Sequence, residues 1–212
     1  MKTIAVMALG EIAHQDAYNA LMQAAQDPES LVAATAVDKL SQHAADIGAV
    51  PLLKLLPPVG SDEARARLLL VLGALVQGKE VETLTAYCDN RSGDETQCAC
   101  LAVQARLGVV AARAAFSQYL LKSHDPASFE MAAYIGQKWL LPYLVQLLDN
   151  TEDMQSLGDP PPGFPAMLRV CDKAVVLIAK ISGRQFSFPT DRHANYDKRQ
   201  LDEAAQAAEG VP

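Results

Sequence analysis

Three adjacent carboxylate pairs, Asp62-Glu63, Asp94-Glu95 and Glu152-Asp153, are the first candidates for chemistry in this chain. Two carboxyl groups in one site can divide the work of general acid and general base when their surroundings separate their pKa values. The first two pairs fall where a helix start favours negative charge, so folding already accounts for them. The histidines His14, His43, His124 and His193 share no helical face and follow no metal-ligand spacing. Cys98 and Cys100 stand two residues apart, on roughly opposite sides of a helix, and cannot hold one ion together. Cys98 continues a buried apolar stripe, as do Cys88 and Cys171, which reads as small buried thiols. A phosphate-cradling glycine loop, a nucleophile elbow and an HExxH sequence are all missing from the sequence. No catalytic, cofactor-binding or metal-ligating residue is therefore assigned, no cofactor is expected, and the expected activity is not enzymatic.

The elements around these residues follow from composition. Half of the 212 residues are hydrophobic and 6% are aromatic. Apolar content on this scale is ample for a core, and so few aromatics favour closely packed helices over a β-sandwich. A net charge of −7 and a pI near 5.0 argue against a nucleic-acid surface, whose affinity comes from clustered Lys and Arg. They also argue against an anionic membrane, and point to a protein partner with a basic surface. The N-terminal "MKTIAVMALGEIAHQ" has the start of a secretory leader, but its apolar run reaches only Leu9 before Gly10 and Glu11. No other run has the ~20 uniform apolar residues of a membrane span. Four cysteines without a dense framework fit a reducing setting, so the expected location is cytoplasmic.

Self-similarity organises the chain. An aliphatic-then-small dipeptide recurs at Leu9-Gly10, Leu40-Ser41, Leu72-Gly73, Leu107-Gly108 and Ile135-Gly136, at intervals near thirty residues. Helix-start chemistry recurs with it, at Asp27 ("DPES"), Ser61 ("SDE"), Ser92 ("SGDE") and Asp125 ("DPAS"). Between these marks the apolar period is helical, as in Cys98, Leu101, Ala102 and Ala105. Each unit reads as a first helix of about ten residues, a tight acidic turn, and a longer second helix. First helices are expected over Asp16–Gln26, Ala49–Leu56, Lys79–Cys88, Val110–Leu121 and Trp139–Leu148. Second helices are expected over Glu29–Ala45, Asp62–Val76, Asp94–Leu107, Pro126–Gln137 and Ala166–Ile181, with Met1–Ala13 as half of a leading unit.

The stretches "DPESLVAATAVDKL", "SDEARARLLLVLGAL" and "MLRVCDKAVVLIAKISG", each after a leucine-rich first helix such as "VPLLKLLPP", resemble the HEAT-like family of α-solenoids. An arginine early in the second helix is usual there; Arg65 or Arg67 and Arg169 supply it, whereas Ala33 and the helix at Pro126 do not. The resemblance implies an all-α, right-handed solenoid of about five antiparallel helix pairs, a leading half-unit and a C-terminal cap, with negligible sheet. Residues 1–183 form the array and 184–212 the cap or tail of the same domain, in which Asp197–Ala208 is a short polar helix. Some HEAT-like proteins excise alkylated DNA bases, which needs a basic concave wall and aromatics. A single tryptophan, Trp139, and the acidic charge stand against that.

One joint departs from the pattern. Asn150–Pro165, containing "DPPPGFP", replaces a short turn, and such loops are either functional or loosely ordered. The expected function is a non-catalytic bacterial scaffold, adaptor or inhibitor, in its most concrete form an immunity protein neutralising a basic toxin domain. Its candidate contacts are Glu63 and Glu95 on a ridge of acidic turns, then Glu152, Asp153 and Asp159 with Phe164 as an apolar anchor. The alternative from another class is a HEAT-like lyase, or an accessory to one, acting on a small-molecule chromophore.

Overall fold

The computed structural model describes residues 1–89, 94–159, 165–190 and 194–209. The expected helix start at Ser92, the anchor Phe164 and His193 lie outside the described residues. Thirteen α-helices and one small two-stranded sheet occur among those described, in two compact units, Met1–Ala112 and Arg113–Pro212. No single helix among them is long and apolar enough to cross a membrane.

The first unit contains α1 (Lys2–Leu9), α2 (Gln15–Ala24), α3 (Ser30–Gln42), α4 (Ala44–Ile47), α5 (Ala49–Leu55), α6 (Asp62–Leu75), α7 (Lys79–Asp89) and α8 (Asp94–Arg106). Here α2 packs on α3, α5 on α6 and α7 on α8, while the second helices stand in a row, α1 against α3, α3 against α6, α6 against α8. Small residues make that row tight. Ala33, Ala36, Ala64, Ala102 and Ala105 have no exposed surface, and Leu68, Leu69 and Leu72 fill the space between them. Each such leucine contributes roughly 1.5–3 kcal/mol by leaving water. Close approach also explains Gly10, where a Cβ would run into the aliphatic chain of Lys39.

Two expectations for this unit need correction. Glu29–Ala45 is not one helix: it breaks at His43, whose ring lies 2.8 Å from the Gly10 carbonyl through Nε2 and sits tilted against Tyr18 at 5.1 Å. The buried face of α8 is also rotated from the expected one. Thr96, Ala99, Cys100 and Val103 point inward with Ala102 and Ala105, while Cys98 and Leu101 are only half-buried. In a helix rich in alanine several stripes are equally apolar, so period alone does not choose among them. Cys100 is bonded to Cys88 of α7. These two are therefore a disulfide and not thiols, whereas Cys98 and Cys171 are in no disulfide.

The unit boundary falls within α9 (Val110–Ser123). The second unit continues with α10 (Pro126–Ile135), α11 (Leu141–Gln146), β1 (Asp153–Ser156), β2 (Met167–Arg169), α12 (Val170–Ser182) and α13 (Lys198–Glu209). Asp125 caps α10 by accepting the Ser128 N–H at 2.7 Å, and Pro126 follows at the position that needs no donor. Gly136 ends α10 at φ 58°, a left-handed conformation that favours glycine. The expected helix Trp139–Leu148 is divided into a 3-10 turn, α11 and a second 3-10 turn. Pro142 belongs to the first turn of α11: with no N–H to donate, it starts a helix more readily than it extends one.

At the centre of this unit α12 packs against α10, α11 and α13. Val170, Ala174, Val175 and Ile178 are buried along it. α13 closes the unit through Ala204, Ala207 and Ala208. Between them Phe186 meets Phe188 edge to face at 5.4 Å, and Phe188 lies tilted against Tyr196 at 5.3 Å. Ser187 ties this segment to α13, donating its N–H and hydroxyl to Glu203 at 2.6 Å and 2.5 Å.

Two measurements follow. A disulfide closing a loop this short restricts the unfolded chain by ~3 kcal/mol, so a reductant should lower the urea midpoint of the first unit. An unchanged midpoint means that the bond contributes nothing. Glu203 is held below its ordinary carboxylate range, chiefly by the Ser187 hydroxyl and then by its N–H. Its contribution is complete above the ordinary carboxylate range and is lost as pH falls through the lowered value. Glu203→Gln should therefore flatten the acid limb of stability against pH, and an acid limb identical to wild type would contradict the assignment.

Candidate protein interface

The acidic turns come first, because Glu63 and Glu95 belong to them. Ser61 caps α6 by accepting the Ala64 N–H at 3.1 Å, which leaves Asp62 and Glu63 in the first turn. Both carboxylates are engaged. Asp62 accepts the Thr96 hydroxyl from α8, and Thr96 itself is buried. Glu63 accepts the Ser30 hydroxyl at the start of α3 (3.0 Å) and pairs with Arg67 (2.6 Å), which also reaches Asp38. Asp27 accepts the Glu29 N–H at 2.9 Å and pairs with Lys2 at 2.8 Å. The Lys2 bond, then the backbone one, holds Asp27 below its ordinary range. These groups join one helix pair to the next. Of the two ridge candidates, Glu95 lies exposed at the start of α8, while Glu63 is drawn into this bonding.

The long joint is built differently from its expected form. Its two ends pair as antiparallel strands, Asp153 opposite Arg169, Gln155 opposite Leu168 and Ser156 opposite Met167, with a bulge between Asp153 and Gln155. The ladder continues where Leu157 N–H donates to Ala166 O (2.9 Å) and Val170 N–H to Glu152 O (3.0 Å). Thus Met167–Arg169, inside the expected helix Ala166–Ile181, are a strand, while the sheet stays confined to these two short strands in a mostly helical chain. Leu168 is the buried foot of the sheet. Asn150 secures the entry: its carbonyl accepts the Cys171 N–H at 2.9 Å, and its side-chain oxygen accepts the Glu152 N–H at 2.9 Å. Its amide nitrogen lies 3.3 Å from His124 Nδ1, and the Glu152 carboxylate lies 3.6 Å from the same atom. His124 takes a left-handed φ of 48°, unusual for a residue with a side chain.

The exit is secured by a charge. Asp172, in the first turn of α12, is 1% exposed. It accepts the Arg169 N–H (3.1 Å), Arg169 Nε (2.9 Å) and Nη2 (2.7 Å), and the Tyr196 N–H (2.9 Å). The Asn195 amide, turned with its nitrogen inward, adds bonds to Asp172 (2.9 Å) and to Met167 O (3.2 Å). Arg169 also donates to Tyr196 O at 2.8 Å. One buried carboxylate thus fastens the end of β2, the start of α12 and the tail. Burial, then the Asp172 charge, pushes the neighbouring Cys171 thiol up. Sequence reasoning missed Asp172, although an acid inside the apolar run "VCDKAVVLIAKI" was its signal.

On this frame Glu152, Asp153 and Asp159 are exposed, with Gly158 turning between strand and tip at φ 72°. Glu152 and Asp153 sit together at the start of the strand pair and Asp159 lies beyond β1; Phe164 falls outside the described residues. Trp139 is occupied elsewhere in the second unit, with Arg113 5.4 Å above its ring and its Nε1 donating to Gln137 at 2.8 Å. Among the described residues no cluster of three His, Cys, Asp or Glu could hold a metal. A cavity of about 160 Å³ between α10 and α12, lined in part by Phe129, Ala133, Val176 and Leu177, is below the usual size of a small-molecule site. The chain matches no protein-family model, and no curated protein matches it.

Replacing Asp172 tests the fastening. Asp172→Asn leaves the Arg169 guanidinium without its counter-charge and places amide hydrogens against other donors. It should cost about 3 kcal/mol in denaturant unfolding. A loss under about 0.5 kcal/mol, the range of ordinary surface changes, would show that the network does not carry the joint.

Proposed function

We propose that this protein is a non-catalytic scaffold of HEAT-like helix pairs, an adaptor or inhibitor, which binds a protein with a basic surface through the acidic residues beside the β1–β2 strand pair. The observation that supports it most is the combination of a fastened base with exposed acids. Glu152, Asp153 and Asp159 face solvent, whereas Asn150, Leu168, Arg169 and Asp172 hold the frame. A held loop loses less entropy on binding than a free one, since ordering a residue costs roughly 1–2 kcal/mol. Carboxylates on such a frame draw a cationic surface into register and raise its association rate. The acidic turns of the first unit are weaker candidates, because Asp27, Asp62 and Glu63 already have partners. The in-line packing of α1, α3, α6 and α8 supports the solenoid reading of that unit. Inhibition of a basic toxin domain is the most concrete form of the proposal; the Cys88–Cys100 disulfide stands against the reducing cytoplasm expected from the cysteine count.

The test is cross-linking of the tagged chain in its native host, beside a variant carrying Glu152→Lys, Asp153→Lys and Asp159→Lys. All three side chains are exposed, so the variant should melt within a few degrees of wild type. Wild type should yield a basic protein cross-linked at the strand pair, and the variant should lose it. Equal recovery of that protein by both chains, or cross-links lying only elsewhere, would overturn the strand pair's role.

A further inference from the structure

In the first unit, first and second helices pack unequally. α6 lies along both α3 and α8, whereas α5 and α7 meet over a short stretch only. An open groove of about 310 Å³ is left between them, lined by Val50, Leu53 and Lys54 of α5 and by Lys79, Glu80 and Thr83 of α7. Val50 is 49% exposed, a large aliphatic side chain left facing water. Leu53 beside it is half-buried.

The charge at this groove is opposite to that of the chain as a whole. Lys2 is paired with Asp27, Lys39 with Glu11, Arg65 with Asp62, and Arg67 with Asp38 and Glu63. Among the described residues, Lys54 and Lys79 of this unit make no ion pair, as is also true of several lysines of the second unit, and both line this one groove. The one carboxylate in the lining, Glu80, accepts the Gln77 N–H at 3.2 Å and so caps its own helix. The volume is at the low end for enclosing a small molecule, and the groove is open along its length. Its form suits one or two side chains of a docked helix, with anchors a turn apart.

We infer that the α5–α7 groove docks a segment of another protein in which aliphatic side chains are flanked by Asp or Glu. The aliphatic group covers Val50 and Leu53, and the carboxylates meet Lys54 and Lys79. This surface is independent of the acids beside the strand pair, since it uses other residues and the opposite charge.

The probes are two short acetylated peptides, each with two leucines a helical turn apart, one flanked by glutamates and the other by lysines, together with decanoate. Each is titrated into the isotope-labelled full chain and followed by backbone amide shifts. The glutamate peptide should perturb residues 50–54 and 79–83, and its binding should weaken roughly tenfold or more in Lys54→Glu/Lys79→Glu. Val50→Ser, an exposed position, should weaken it without changing the melting temperature. The lysine peptide should leave both segments unperturbed. Several results overturn the inference: no shifts in these segments at millimolar glutamate peptide, equal binding by the double variant, or preference for the lysine peptide. Binding of decanoate alone would make the groove a small-molecule site and overturn it too. None of these results touches the strand pair, whose failure would appear only in the Glu152, Asp153 and Asp159 variant.

Discussion

A pair of short helices cannot enclose its own apolar side chains, and the rest of the first unit follows from that constraint. The second helix of each pair needs a neighbour on both sides, so α3 and α6 are each flanked by other second helices, α1 and α6 for one, α3 and α8 for the other. Alanines bring those axes close, and leucines such as Leu40, Leu68 and Leu72 fill what remains. The first helices are held mainly by their own partners, which is why α5 and α7 separate enough to leave a groove. Close packing on one layer thus produces the open surface on the other.

The polar turns serve the same arrangement. Stacked pairs bring a hydroxyl or cation of one pair beside a carboxylate of the next: Ser30 beside Glu63, Thr96 beside Asp62, Lys2 beside Asp27. Exposed pairs of this kind contribute at most about 1 kcal/mol each. Thr96 is buried, so its bond to Asp62 also spares the hydroxyl an unsatisfied burial. Carboxylates committed in this way have less to offer a partner. The excess negative charge therefore matters most where it stays exposed, at Asp153 and Asp159 and at Glu152, whose carboxylate reaches only His124 and the Asn150 amide among the described residues.

In the second unit a buried carboxylate does what stacking does in the first. From the first turn of α12, Asp172 satisfies donors of β2 and of the tail at one point, and those donors converge on it only when all three segments are in place. A half-made network would leave a charge uncompensated in the interior, which favours the segments being in place together. The strand pair inherits its rigidity from this fastening, which gives exposed acids at residues 152 to 159 a defined place.

By itself the sequence marked a mostly helical chain and several of its helix starts. Caps at Ser61 and Asp125, the proline at 126 and the helical period act within a turn or two of chain, and such signals survive without knowledge of the fold. The exposure of Glu152, Asp153 and Asp159 was legible for the same reason, in a stretch of acid, glycine and proline. Tertiary structure decided whatever depends on residues distant in the chain. It selected the inward face of α8 and joined Cys88 to Cys100, which limits the reading of buried thiols to Cys171, with Cys98 half-buried. It broke a helix at His43 against Gly10, and paired Asp153–Ser156 of the long joint with Met167–Arg169 beyond it, a strand fastened on Asp172. It also brought Lys54 and Lys79 to one groove, a pairing that neither residue's local sequence marks. Each of these outcomes is set by which helix face meets which neighbour, and a uniformly apolar alanine-rich surface leaves that choice to packing.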